Sequence, residues 1–394
     1  MQQRAEGGKL QTPVETWEFV GRSVESEEAL SALSVDSQAG MRQFSLERKT
    51  GYGVDYADAI ELRARVLKGE QWQSAATAIA ETCLSRTENA PETARTPTQI
   101  AYLRRASALL RMSQVLMISD SDERREIFTR AAGLYARAAE LAKDRHRVSI
   151  ETRDKPLAGW LFPAQDEAVA SAIVIGGVEG WAMDFDSLGH ALAARGIDAL
   201  LLDGPGQGET RFVHHHYLSK NWLEAYRRAI DFLDGRAPDR PIGFVGHSMG
   251  GSIAMAAAVD DLRIRACCNN GGPFAPWMVP QGTTFFSKMI AFCGVETAEQ
   301  AVDVWKTVPP LTTGPNDGYP LLMIQGGADP LISNAIAKHL FDEAPTDDKR
   351  MVIFSDGDHC IYRHKQDRDV LIADWMRSRL SGVHAGRAGE PKEQ

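Results

Sequence analysis

Ser248 is the residue in this chain best placed to do chemistry. It sits in Gly246-His247-Ser248-Met249-Gly250-Gly251, directly after the apolar run IGFV and directly before the small-residue run SIAMAAAV. A G-x-S-x-G pattern between a strand and a helix predicts a tight turn that lifts the hydroxyl out of the chain. Gly246 and Gly250 are needed there because a Cβ would collide where strand and helix approach. A serine at a helix N-terminus also faces free backbone N–H groups and the positive end of the helix dipole. An alkyl hydroxyl is a poor nucleophile, so Ser248 needs a base that is itself held by an acid. Downstream, Asp329 follows the apolar run PLLMIQG, and His359 follows RMVIFS. Both therefore belong on loops at strand C-terminal ends, where open α/β sheets gather their catalytic groups. The order Ser, Asp, His is the one expected on such a sheet. Asp356 and Asp358 compete with Asp329, but they precede His359 too closely to reach its ring from behind and suit turns. The expected oxyanion donors are the backbone N–H of Met249 and one from Gly176-Gly177-Val178-Glu179-Gly180, with Val178 preferred over Gly177.

These residues need a sheet to carry them. From about residue 147 short apolar runs alternate with amphipathic segments: SAIVIGG, DALLLD, PIGFVGH, RACCNN, PLLMIQG and RMVIFS, with helices over roughly 184–195, 219–235, 252–259, 333–342 and 367–380. That alternation predicts an α/β protein with a mainly parallel, doubly wound sheet. RVSIET and PLAGWLFP predict an antiparallel hairpin before it. Residues 273–315 break the rhythm and carry Phe274, Trp277, Met278, Phe285, Phe286, Met289, Phe292 and Trp305. They are expected to form an insertion over the C-terminal edge of the sheet. Glu179, Trp181, His247 and Trp277 are candidates for the substrate pocket.

Residues 1–145 read as a separate helical domain, 146–381 as the catalytic domain and 382–394 as a disordered tail. Tyr102, Ala106, Leu109, Ser113 and Leu116 mark one helical face. After the Ser/Asp cluster at 119–122, an N-cap region, Ile127, Ala131, Leu134 and Ala138 mark another. Strand signals are nearly absent here.

Composition narrows the partners. The 394 residues carry a formal net charge of −9, with 43% apolar and 25% charged residues. An acidic chain without a clustered basic tract argues against nucleic acid or an anionic membrane. No apolar run of about 18 residues is present, and the N-terminus has no apolar core of a secretion signal, which predicts a cytoplasmic protein. The five cysteines form no C-x-x-C and read as reduced core thiols. His214-His215-His216 are consecutive, so their rings diverge and do not converge on a metal; a solvated or pocket-rim tract fits better. Asp203-Gly204-Pro205-Gly206-Gln207-Gly208 has the wrong spacing for a dinucleotide loop, and Pro205 lacks an N–H. It reads as a tight turn at the cleft rim.

Taken with the helical region ending in AYLRRASALLRMSQVL and IFTRAAGLYARAAELA, the hairpin VSIETRDKPLAGWLFPA and the loop IGGVEG, the segments DGPGQGET and GHSMGG resemble the FrsA-like α/β-hydrolases. That group takes in nicotine-pathway and polyketide-shortening hydrolases. The likeness runs from about residue 95 onward. It implies an α/β-hydrolase fold with an N-terminal helical lid beside the 273–315 insertion, no cofactor, a homodimer, and Ser248, Asp329 and His359 as the triad. It also implies hydrolysis of a ketone carbon–carbon bond or an ester in an aromatic or polyketide-derived small molecule. The same acyl-serine could serve an acyltransferase, cyclase or thioesterase, and a non-catalytic binding protein on this fold is the alternative of another class.

Overall fold

A computed structural model describes residues 14–17 and 27–381. The expected disordered tail at 382–394 lies outside the described residues. Among the described residues nine strands form one sheet: β1 (Val14–Trp17), β2 (His146–Ile150), β3 (Leu157–Phe162), β4 (Ala170–Ile175), β5 (Ile197–Asp203), β6 (Ile242–His247), β7 (Ile264–Asn270), β8 (Leu321–Gly326) and β9 (Lys349–Phe354). Their order is β1-β9-β8-β7-β6-β4-β5-β3-β2. The β2–β3 and β3–β5 pairs are antiparallel and all others parallel. After β5 the chain crosses back to place β6 on the other side of β4. The loops leaving β4 and β6 therefore open side by side, at the topological switch of the sheet, where such folds bind ligands.

Both faces are covered, which is why the parallel strands read as continuous apolar runs rather than alternating ones. Ile173, Leu200, Phe244 and Cys267 point into one core with the helices Trp222–Arg236 and Met249–Ala258. Val174, Leu201, Val245 and Cys268 point into the other with the helices Asp186–Ala193 and Lys365–Ser381. The adjacent Cys267 and Cys268 thus face opposite ways, and all five cysteines are free and buried.

A third core joins the helices of the first half, among them Tyr56–Leu67, Trp72–Glu88 and Arg95–Ser113. Ser121 caps the helix Asp122–Ala142 by accepting from the Arg124 N–H at 3.2 Å. That helix is buried on two sides. Ile127, Ala131 and Leu134 meet the helical core, while Phe128, Ala132, Tyr135 and Ala139 pack on the sheet.

One correction concerns the first half, where no strand is legible. Val14–Trp17 forms β1 and pairs in parallel with β9, and Glu15 meets Arg350 at 2.7 Å. Four residues are too short to show a period. Their strand character comes from an existing sheet edge rather than from their own pattern.

Candidate active site

Ser248 occupies the turn between β6 and the helix Met249–Ala258 with φ 55° and ψ −131°, a conformation side chains rarely adopt. Its N–H donates to Asn270 O at 2.8 Å on β7, and its carbonyl accepts from Gly251 N at 2.8 Å. These bonds hold the strain in place. A Cβ on Gly250 would lie 2.1 Å from Gly176 O, and one on Gly246 2.0 Å from Gly250 O, so the turn tolerates no side chain on either flank.

His359 Nε2 lies 2.7 Å from Ser248 Oγ, and His359 Nδ1 lies 2.8 Å from Asp329 Oδ2. With the ring neutral, Nδ1–H donates to the carboxylate and Nε2 accepts from the hydroxyl. Asp329 Oδ1 accepts the N–H groups of Leu331 and Ile332 at 2.8 and 3.0 Å. Burial works against its charge, but His359 and those two N–H groups outweigh burial and hold the carboxyl below its usual range. Burial likewise opposes a charged His359; Cys360 and Asp329 outweigh it and raise the imidazole above its usual value. The backbone after His359 turns back through Cys360 and Ile361, both at positive φ, and Cys360 O is held by Arg368 and Asn270. The rival carboxylates are occupied elsewhere: Asp356 Oδ1 meets His364 Nε2 at 2.7 Å, and Asp358 Oδ1 accepts from Arg363 N.

The loop after β4 passes against Ser248. A Cβ on Gly177 would come within 2.6 Å of Ser248 Cβ, and Gly177 and Val178 line the same cavity as Ser248. Three side chains fix this loop. Gln207 Nε2 donates to the carbonyls of Gly176 and Gly177, and its Oε1 accepts from Gly204 N at 2.9 Å. Arg124 donates to both oxygens of Glu179 at 3.1 and 3.0 Å. Arg111 meets Asp184 at 2.9 Å. Glu179 is also 3.7 Å from Lys288 on the insertion helix Thr284–Cys293, whose ammonium donates to Val115 O. Burial pushes the Glu179 carboxyl up, yet Lys288 and Arg124 hold it below its usual range. One glutamate thus ties the loop to both the helical region and the insertion.

Gln207 is one residue that sequence reasoning missed. The tight turn after β5 was legible; that its amide would reach across to the β4 loop was not. Gln207→Leu should leave two buried carbonyls and the Gly204 N–H unpaired, at a cost of about 1–3 kcal/mol for each. The loop is then free to shift against Ser248, so any turnover that runs through Ser248 should fall roughly 10- to 100-fold in kcat with KM little changed. Steady-state kinetics alongside a melting curve would check both effects.

Two cavities of about 460 and 390 Å³ meet at Ser248 and His359. Glu179 and His247 line the first. His247 is buried, stacks on Phe185 at 4.5 Å and meets Asn270 Nδ2 through Nδ1 at 2.7 Å. Burial pushes its pKa well below the usual imidazole value. Trp181 and Trp277 line neither cavity and are corrected. Trp181 is 1% exposed and packs edge-on against Phe128 and Phe212 in the core, and Trp277 packs against the opposite core. In the insertion, Phe286, Met289, Phe292 and Trp305 are core side chains, while Phe274, Met278 and Phe285 reach the second cavity. The three consecutive histidines line neither: His215 Nδ1 meets Arg125 at 2.8 Å and His216 is buried. Among the described residues no group of three or more His, Cys, Asp or Glu could hold a metal, and no helix is long and apolar enough to cross a membrane.

Comparison with known proteins gives consistent neighbours. The model of the Alpha/beta hydrolase family matches residues 176–373, half of the chain. A 2,6-dihydropseudooxynicotine hydrolase from Paenarthrobacter nicotinovorans is 24% identical over 269 residues, covering 65% of this chain and 71% of the relative. The crystal structure of a 2,6-dihydroxy-pseudo-oxynicotine hydrolase superposes with a TM-score of 0.74 at 22% identity, over 88% of this chain and 98% of that one. AbyA5 superposes with a TM-score of 0.63 at 18% identity, over 84% of this chain and 96% of that one. These are the neighbours that the likeness in DGPGQGET and GHSMGG pointed to, and the structural matches extend over the N-terminal helices as well.

Proposed function

The chain belongs to the alpha/beta hydrolase family, and from that premise we propose that it is a serine hydrolase acting through an acyl-serine. Its substrate is a ketone or ester of an aromatic or polyketide-derived compound. The observation that carries the reading is His359 bridging Asp329 and Ser248 at hydrogen-bond distance on both sides.

His359 takes the proton of Ser248 as Oγ attacks the carbonyl carbon. Asp329 keeps the ring in the accepting tautomer and balances the imidazolium that forms. The tetrahedral oxygen develops between the N–H of Met249, first residue of its helix, and the β4 loop at Val178 or Gly177. Collapse expels the leaving fragment, which takes the proton from His359. Water then enters and gives a proton to His359 as its oxygen bonds to the acyl carbon; the second collapse breaks the C–Oγ bond, returns that proton to Ser248 Oγ and frees the acid. A bare alkyl carbanion is too high in energy to be expelled from the tetrahedral adduct, even with an imidazolium beside it. A carbon leaving group must therefore depart as an enolate or an electron-rich aromatic carbon, as from a β-diketone or an aryl ketone. The relatives' names support hydrolysis of this kind, and the aromatic side chains Phe274 and Phe285 on the cavity wall suit an apolar arm.

The test is direct. Purified protein should release acid from aryl esters or β-diketones, and a fluorophosphonate should label it at Ser248. If neither class is turned over and Ser248 is not labelled, the proposal is wrong. Added alcohol, amine or thiol acceptors would reveal a transferase by diverting the acyl group from water.

A further inference from the structure

The two cavities at Ser248 differ in chemistry. The second is walled by Phe274, Ala275, Met278, Val279, Ile332 and Ile336. The first is closed by the helices Val35–Gln43 and Leu46–Gly51, which bring Arg42 and Arg48 to its wall beside Tyr52 and Tyr362. Glu179 also lines it, but Arg124 and Lys288 already neutralise that carboxylate.

Arg48 is half-buried and stands apart from the buried arginines around the site. Arg111, Arg124 and Arg211 each meet a carboxylate, at 2.9, 3.0 and 2.6 Å. The hydrogen-bond acceptors of Arg48 are neutral: Gln43 O and Tyr52 Oη, both at 3.1 Å. Its guanidinium lies over the rings of Phe44, Tyr52 and Tyr362. Its Nε–H is buried without an acceptor, and among the described residues no carboxylate is within 4 Å of it. Two of its five N–H donors are thus engaged. A cation held on a cavity wall by aromatic faces, with no carboxylate in ion-pair contact and with unused donors, lowers the cost of bringing an anion there.

We propose that Arg48 is a specificity-determining residue that binds an anionic oxygen of the substrate, a carboxylate or an ionised phenol or enol. The scissile carbonyl then sits at Ser248 and the apolar arm fills the second cavity. This rests on the hydrolase reading and narrows it to amphipathic substrates with an acidic oxygenated arm. The position of Arg48 on the helical region gives those helices a role in selecting substrate as well as in covering it.

The test uses nitrophenyl esters of glutaric against valeric acid, and of hydroxyphenylpropionic against phenylpropionic acid. The first pair reports a carboxylate and the second a phenol, and either preference supports the proposal. The acidic member of one pair should have the higher kcat/KM by about 10- to 100-fold, the size expected of a charged hydrogen bond. Arg48→Met should bring that ratio close to one. Arg48→Lys keeps the charge without the fork and should retain part of it. A wild-type ratio near one in both pairs, or a ratio that survives Arg48→Met, overturns the proposal. Calorimetry separates this from catalysis: Ser248→Ala protein should bind monomethyl glutarate more tightly than dimethyl glutarate, and the Ser248→Ala/Arg48→Met protein should not. If no ester is hydrolysed but this difference appears, the hydrolase reading fails and the anion site stands; if esters are hydrolysed with neither this difference nor a preference within either ester pair, the reverse holds.

Discussion

Ser248→Ala should lower kcat by roughly 10⁶ while leaving the fold intact. The side chain spends its hydroxyl on one partner, His359, at 2.7 Å. Its backbone bonds to Asn270 and Gly251 do not involve Oγ and survive the change. Alanine meets the positive φ at 248 with about the same strain as serine, because that strain comes from the Cβ both share. Melting temperature should therefore move by little, since one hydrogen bond is worth about 1 kcal/mol net. Residual activity should come from the loop donors and the pocket acting on water alone. For that reason Ser248→Ala/His359→Ala should be no slower than either single variant: once the nucleophile is gone, its base has nothing to activate. Burst and steady-state kinetics on an aryl ester check the first effect, and calorimetric melting checks the second. A Ser248→Ala protein that keeps more than about one part in a hundred of wild-type turnover would place the chemistry elsewhere.

The sequence carries most of this site because its parts are punctual. Strands β4 to β9 are buried on both faces, so each shows as a short apolar run, and each site residue follows such a run within a few positions. The chain order of Ser248, Asp329 and His359 then leaves little freedom. What is not legible depends on approach from far away in the chain. Arg48 reaches the cavity only because the helices Val35–Gln43 and Leu46–Gly51 fold over the sheet, about two hundred residues from Ser248 in sequence. Gln207 lies on a turn that was seen, but the direction of its amide depends on the neighbouring β4 loop. Trp181 and Trp277 failed for a related reason: a large aromatic near a cleft says nothing of which way its ring points. A split at residue 145 also simplifies the molecule. The sheet takes β1 from before it, and the helix Asp122–Ala142 serves the helical core and the sheet together.

Asp329→Asn should lower kcat/KM by about 10⁴, and the wiring of the carboxylate says why. Oδ1 is claimed by the N–H groups of Leu331 and Ile332, so an asparagine must keep its carbonyl oxygen there. Its NH₂ then faces His359 Nδ1, where Oδ2 now lies at 2.8 Å. A donor at that place forces Nδ1 to accept, and the ring proton moves to Nε2, against Ser248 Oγ. In that tautomer His359 cannot take the serine proton. The pH profile should change with it. Only deprotonated His359 is a base, so kcat/KM rises with pH through its pKa. Cys360 and the Asp329 carboxylate hold that pKa above the usual imidazole value despite burial, so the wild-type acid limb should lie above about pH 6.5. Removing the Asp329 anion lowers the pKa, so the limb of the variant should shift to lower pH while the plateau falls. Raising the pH should not restore the rate, because the fault is the tautomer and not the charge. Asp356→Asn is the control: its carboxylate serves His364, and turnover should stay within a few-fold of wild type. Should Asp356→Asn prove the damaging change and Asp329→Asn the mild one, the acid holding His359 has been misassigned and the proton path must be redrawn.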